Sequence, residues 1–318
     1  MALPSPYPLR ISSHYPELRA RWTDWYLAAG PFETDAAKRK VVSADYAFLG
    51  AAAWPVEDWQ RLWDITTLAA TIIEFDDEFD DNRTGYGDVR LRRRRIADLA
   101  DDFGSGFAGS TDQRWTPLLA GSWRNMLTYT GPGVLKRLAE ECVRYVQGCR
   151  DVDDYLAEHG EFTDIQTYTD LRFYSLGQRI DHMFVEVSRG IDLTQVIEEP
   201  ALVAIIDSEV RRTIISQDFL SLYKDLGIGG DQLENLIVLV ARTRNCSLRA
   251  AMSICMDMFA AENLRFDSLT ADIAETPLGR LPEVRAFIQG LADFTAGYMH
   301  WTTGSGRYTS SDTCTWWD

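Results

Sequence analysis

Apolar positions recur three and four residues apart along most of the chain. The clearest run is PVEDWQRLWDITTLAATIIEFDDEFDD. There Trp59, Leu62, Trp63, Ile65, Leu68, Ile72 and Ile73 repeat at helical spacing with no interior Gly or Pro. Pro55 stands where a first helical turn is favoured, so a helix of about seven turns is predicted from that point. Its LAATII stretch is apolar on nearly every face, which predicts burial inside a bundle. A second long helix is predicted over 134–157, after the Gly131-Pro132-Gly133 breaker. Further helices are expected near 162–176, 201–226, 231–241, 248–266 and 283–302. No alternating strand pattern, internal repeat or linker rich in Pro, Gly or Ser stands out. The expectation is an all-α, single-domain bundle of roughly ten or more helices over 1–318, with flexible ends at 1–12 and 309–318.

Composition changes this picture little. The chain has 318 residues, 46% of them hydrophobic and 25% charged, as in an ordinary folded protein with a large core. Its formal net charge of −16 argues against a nucleic-acid partner and against docking on an anionic membrane. The basic run at 92–95 has Asp88 and Asp98 nearby and reads as a solvated helix face. Cys142, Cys149, Cys246, Cys255 and Cys314 lack metal-ligand spacing, and the first two read as core thiols of a reducing compartment. Only His14, His159, His182 and His300 are present, which disfavours a His-based zinc site or catalytic triad. The N-terminus lacks the apolar core of a signal peptide, and no run is long enough to span a bilayer. A cytoplasmic protein is expected.

The informative chemistry is the acidic end of the first long helix, Glu74-Phe75-Asp76-Asp77-Glu78-Phe79-Asp80-Asp81. Asp76 and Asp80 are four apart and share a face, where like charges repel. A helix C-terminus disfavours anions as well. A segment that breaks local rules marks a functional candidate. Divalent cations would relieve the repulsion, and Mg²⁺ takes one or two carboxylates together with phosphate oxygens. Alternatives are an acidic helix end of no special role, or a calcium loop from Asp80. The calcium loop needs Glu at its twelfth position, which is Leu91.

A second cluster lies in SQDFLSLYKDLG. Gln217, Ser221 and Asp225 form a single helical stripe of oxygen donors, with Lys224 beside the last. Arg172 stands upstream in YTDLRFYSLG. Near the C-terminus, Trp301 precedes Arg307 and Tyr308. In order, this set resembles class I terpene synthases (terpene cyclases) of the microbial type, from about Asp45 to Tyr308. Asp76-Asp77-Glu78-Phe79-Asp80 matches the family's aspartate-rich motif. Gln217, Ser221 and Asp225 match its Asn, Ser and Glu, with Gln one methylene longer and Asp one shorter. A one-residue shift would make Asp218 a ligand in place of Gln217. Arg307 and Tyr308 match the C-terminal Arg-Tyr pair, and Arg172 matches the diphosphate-sensing Arg, about one residue off the usual spacing.

The resemblance implies helices around a central apolar cavity and three Mg²⁺ ions held by Asp76, Asp77, Asp80, Gln217 or Asp218, Ser221 and Asp225. It implies a prenyl diphosphate substrate met by Arg172, Lys224, Arg307 and Tyr308, and a helix break whose Gly177 carbonyl points into the cavity. Phe75, Phe79, Phe173, Phe219 and Trp301 are the candidate aromatic faces for carbocations. The expected reaction is ionisation and cyclisation, with farnesyl diphosphate favoured and geranylgeranyl diphosphate the alternative. Other readings are a chain-lengthening prenyl diphosphate synthase and a non-catalytic helical scaffold. The first carries two aspartate-rich motifs where this chain has one. Members of the family often pair, so a homodimer is also expected.

Overall fold

A computed structural model of the protein describes residues 3, 5–84, 98, 101–107, 114–228 and 234–309. The described residues are helical throughout, with no strand among them. In chain order the helices are α1 (Tyr15–Ala29), α2 (Asp35–Ala44), α3 (Tyr46–Ala53), α4 (Trp59–Thr84), α5 (Thr116–Met126), α6 (Pro132–His159) and α7 (Ile165–Ser175). They continue as α8 (Gln178–Arg189), α9 (Pro200–Ile228), α10 (Leu236–Thr243), α11 (Leu248–Ala274), α12 (Pro282–Gly304) and α13 (Gly306–Thr309), with a 3₁₀ turn at Leu278–Arg280. None is long and apolar enough to cross a membrane.

Helix α4 is buried as its pattern predicts. Leu62, Ile65, Leu68 and Ala70 are sealed in the core. Thr66, Thr67 and Thr71 are buried too, and each returns its hydroxyl to a backbone carbonyl one turn earlier. Buried hydroxyls must find such partners. The helix begins at Trp59, not at Pro55, because Asp58 supplies the cap. The Asp58 carboxylate accepts from Arg61 N–H at 3.0 Å, and its carbonyl accepts from Leu62 N–H. Caps of the same kind start α2 at Thr34, α7 at Asp164, α10 at Asn235 and α11 at Ser247.

The remaining expected helices are present with shifted ends: α6 runs to His159, and α11 continues to Ala274. Helix α10 starts at Leu236, five residues after its expected start. Helices α1, α2, α3, α5, α8 and α13 were not read from the sequence. Within the N-terminal region, Ser12 is tied to Ala51 and Val56, and Tyr7 hydrogen-bonds Asp267 and Arg212. Residues 5–12 therefore pack on the helices. The basic run at 92–95 and Cys314 lie outside the described residues. Cys142 is buried and Cys149 partly so, both as free thiols.

The helices enclose a cavity. Its walls come from α3, α4, α6, α7, α8, α9, α12 and α13. Ile72 and Ile73 are only partly buried because they face it, unlike the sealed residues one or two turns earlier on α4.

Candidate active site

Two helices in sequence make one wall. Helix α7 ends at Ser175, and Gly177 adopts φ +78° before α8 begins. A side chain is strained in that left-handed conformation, and an added Cβ would also touch the Tyr145 ring at 3.4 Å. Gly148 on α6 lets the break approach. A Cβ there would lie 2.8 Å from the Ser175 backbone nitrogen. Gly177 lines the cavity. The left-handed turn makes its carbonyl the acceptor for Ile180 N–H at 2.9 Å, the first bond of α8.

At the acidic end of α4, consecutive residues diverge by about 100° around the helix axis. Asp76 lines the cavity and accepts a 2.6 Å hydrogen bond from the Tyr145 hydroxyl. Asp77 is buried on the other side against three cations. Arg307 forks onto both its oxygens, Lys224 Nζ lies 2.9 Å away and Lys40 Nζ 3.0 Å. Burial alone would raise the Asp77 pKa, but Arg307, Lys224 and Lys40 hold it well below the usual carboxylate range. Glu74 is buried beneath and accepts from the Tyr46 hydroxyl. Phe75 packs in the core. The side chains of Phe79 and Asp80 lie outside the described residues.

The α9 stripe faces them in part. The Gln217 amide oxygen accepts from Tyr298, and its nitrogen donates to Tyr308 at 3.4 Å. Ser221 donates to Asp225 at 2.6 Å, so these two share one face as their spacing requires. Asn235 donates to the same Asp225 oxygen at 2.8 Å and to the Asp218 carbonyl, tying α10 to α9. Asp218 is turned inward and sealed. It accepts from Tyr168 at 2.5 Å and from Leu236 N–H at 2.9 Å, with Arg172 at 3.7 Å. Burial pushes its carboxyl up to about 6, despite Arg172 and these donors.

Arg172 and Arg307 both reach the cavity. Burial would lower the Arg172 pKa, but Tyr168, Asp218, Glu234 and Asp76 raise it, so it stays cationic. Its Nε is buried with no hydrogen-bond partner among the described residues. Such an orphaned donor marks a place for an absent acceptor. Arg307 also contacts the Tyr308 hydroxyl and lies over that ring at 4.9 Å.

The cavity therefore has a polar end of Asp76, Arg172, Gln217, Arg307 and Tyr308. The rest of its wall is mainly apolar, with Trp54, Tyr145, Phe184 and Tyr298 among leucine and isoleucine side chains. Phe75, Phe173, Phe219 and Trp301 are not among its lining residues. Trp301 is sealed in the core, donates to the Ala44 carbonyl and stands edge-on to Tyr308 at 5.6 Å, so it positions that residue. Tyr145, Trp54, Phe184, Tyr298 and Asn235 were missed by sequence reasoning. Tyr298 carried a usable signal, since it lies one helical turn before Trp301.

Among the described residues no three His, Cys, Asp or Glu side chains converge as a metal cage. The hard oxygen donors are divided instead between α4 and α9. A carboxylate on one helix, and an amide, a hydroxyl and a carboxylate on the other, suit a cation that also takes phosphate oxygens. The unpartnered Arg172 Nε suits the anion such a cation would bring.

A helical enclosure with a divided oxygen-donor set, two arginines and an aromatic lining defines the class: a metal-dependent enzyme fold for a molecule that is anionic at one end and apolar along its length. The family model described as "Terpene synthase family 2, C-terminal metal binding" matches residues 67–262, more than half the chain. The chain belongs to the terpene synthase family, as a class I enzyme. It is 24% identical over 308 residues to sesquiterpene synthase 6 of Postia placenta, spanning 95% of this chain and 87% of that one. It is 22% identical over 324 residues to the silphinene synthase of Penicillium patulum, spanning 94% and 81%. In fold it is similar to a crystal structure of α-eudesmol synthase, with a TM-score of 0.80 at 20% identity over 95% of this chain and 98% of that one. A linalool/nerolidol synthase of Streptomyces clavuligerus, in complex with 2-fluorogeranyl diphosphate, gives a TM-score of 0.78 at 22% identity over 96% and 99%.

Proposed function

We propose that the protein ionises a linear prenyl diphosphate and cyclises the resulting carbocation to a terpene, releasing diphosphate. The observation that carries this is the Arg172 guanidinium, buried with an unpartnered Nε at the polar end of an aromatic cavity. Farnesyl diphosphate is the substrate favoured, because a relative matched over 95% of this chain is named a sesquiterpene synthase.

Asp76 on α4, with Gln217, Ser221 and Asp225 on α9, would hold Mg²⁺, and three ions are proposed. Bound Mg²⁺ would neutralise the charge that develops on the leaving diphosphate. Arg172 would bind the same group through its unpartnered Nε, and Arg307, whose fork is held by Asp77, adds its charge beside it. The Tyr308 hydroxyl adds a donor. Asp77 acts by holding Arg307 and Lys224 at the site rather than as a ligand. Asp218 fixes α10 and Arg172 in the same supporting way. Once the C–O bond breaks, the cation lies against the faces of Trp54, Phe184 and Tyr298, each contact worth about 0.5–2 kcal/mol. The apolar wall excludes water that would otherwise capture the cation.

The test is incubation of purified protein with Mg²⁺ and geranyl, farnesyl or geranylgeranyl diphosphate, followed by mass spectrometry of volatile products. Cyclic C15 products are expected. Longer diphosphates on adding isopentenyl diphosphate would favour chain elongation instead.

A further inference from the structure

One carboxyl in the cavity has no part in holding cations. Helix α8 presents Ile180, Asp181 and Phe184 to the cavity, the spacing of a single helical face, with its cap residue Gly177 beside them. Asp181 is thus flanked by apolar side chains, and Trp54 Nε1–H donates to its backbone carbonyl at 3.1 Å. Its carboxyl has no hydrogen bond or ion pair among the described residues. Arg172 and Arg307, the cations of the polar end, are engaged with Asp218 and Asp77. Burial and the nearby Glu209 raise the Asp181 pKa well above the carboxylate range, and no cationic side chain offsets them. Glu209 itself is occupied by His182, Gln178 and Thr213 behind the wall. An unpartnered carboxyl against hydrocarbon is costly and calls for an explanation.

We propose that Asp181 is a catalytic proton donor and acceptor acting on the hydrocarbon inside the cavity. The step rests on the terpene cyclase reading. The first cation passes a proton to the released diphosphate, the C–H electrons close a double bond, and a neutral cyclic alkene results. The Asp181 carboxyl then gives its proton to one carbon of an alkene double bond. The π electrons form the new C–H bond, the other carbon becomes cationic, and Asp181 becomes a carboxylate. After further ring closure the carboxylate takes a proton from a carbon beside the cation. The C–H electrons close the final double bond, and Asp181 is neutral again. No oxidant or co-reactant is needed.

The experiment uses the full chain with Mg²⁺ and farnesyl diphosphate in D₂O. The empty cavity lets the carboxyl exchange, so the main wild-type product should carry one deuterium bound to carbon. Asp181→Asn cannot donate in this way. It should lower the ratio of labelled to unlabelled product on the order of 100-fold and accumulate a terpene with fewer rings. Asp181→Glu should restore label. A melting curve matching the wild type would show that the variants fold. Unlabelled wild-type product, or unchanged products and label in Asp181→Asn, would overturn the assignment while leaving the cyclase reading intact. Wild type that consumes no prenyl diphosphate would overturn both.

Discussion

Asp76 and Asp77 are chemically identical neighbours with different surroundings. Asp76 meets a tyrosine and the cavity, whereas Asp77 meets Arg307, Lys224 and Lys40 in the interior. Asp76→Ala should therefore abolish turnover while the protein melts near its normal temperature. Retained turnover would refute the metal role. Asp77→Asn should instead lower stability by about 3–5 kcal/mol, because it leaves buried cations without their counter-charge. The sign of the pH effect follows from the depressed Asp77 pKa. The pair stabilises the fold fully above the unfolded aspartate value of about 4, and the benefit is lost as pH falls through the lower folded value. Melting curves should show a constant gap between wild type and Asp77→Asn from pH 7 to about 5, narrowing as pH falls below about 4. A gap that instead vanishes near neutral pH would refute this pairing. Asp218→Ala should also destabilise, since it strands the Tyr168 hydroxyl, the Leu236 N–H and the Arg172 charge.

At the scale of elements, the α7–α8 break depends on two glycines. Gly177→Ala forces a Cβ into the left-handed region, at about 1–2 kcal/mol. Gly148→Ala places a Cβ 2.8 Å from the backbone before the break, so α7 must move and carry Arg172 with it. A displacement of that order should reduce turnover on the order of 100-fold. Wild-type kinetics for Gly148→Ala would contradict the placement. The break also shows what was legible in the sequence. Helix α4 was readable because its apolar periodicity matches its burial, though Asp58 rather than Pro55 set its start. Helix α8 was not, because Gln178, His182 and Glu186 are polar yet buried in networks with Glu209 and Arg137. In one dimension such residues look like a solvent face. Asp76, Gln217, Arg307 and Tyr308, which stand out by their sequence spacing, line the cavity. The wall of Trp54, Phe184 and Tyr298 is assembled from separate helices, and no spacing announces it.

For the whole molecule, a net charge of −16 works against an anionic ligand unless cations intervene. The described cationic side chains at the site are largely paired with carboxylates, so the proposed Mg²⁺ would reverse the local field. Chelation with EDTA should abolish binding of inorganic diphosphate measured by calorimetry, and added Mg²⁺ should restore it. Diphosphate binding that survives EDTA would contradict the divided oxygen-donor site. The most direct test of the central claim is the product analysis with farnesyl diphosphate and Mg²⁺. The proposed function predicts release of diphosphate with a cyclic C15 terpene. Intact substrate with every prenyl diphosphate tried would contradict it.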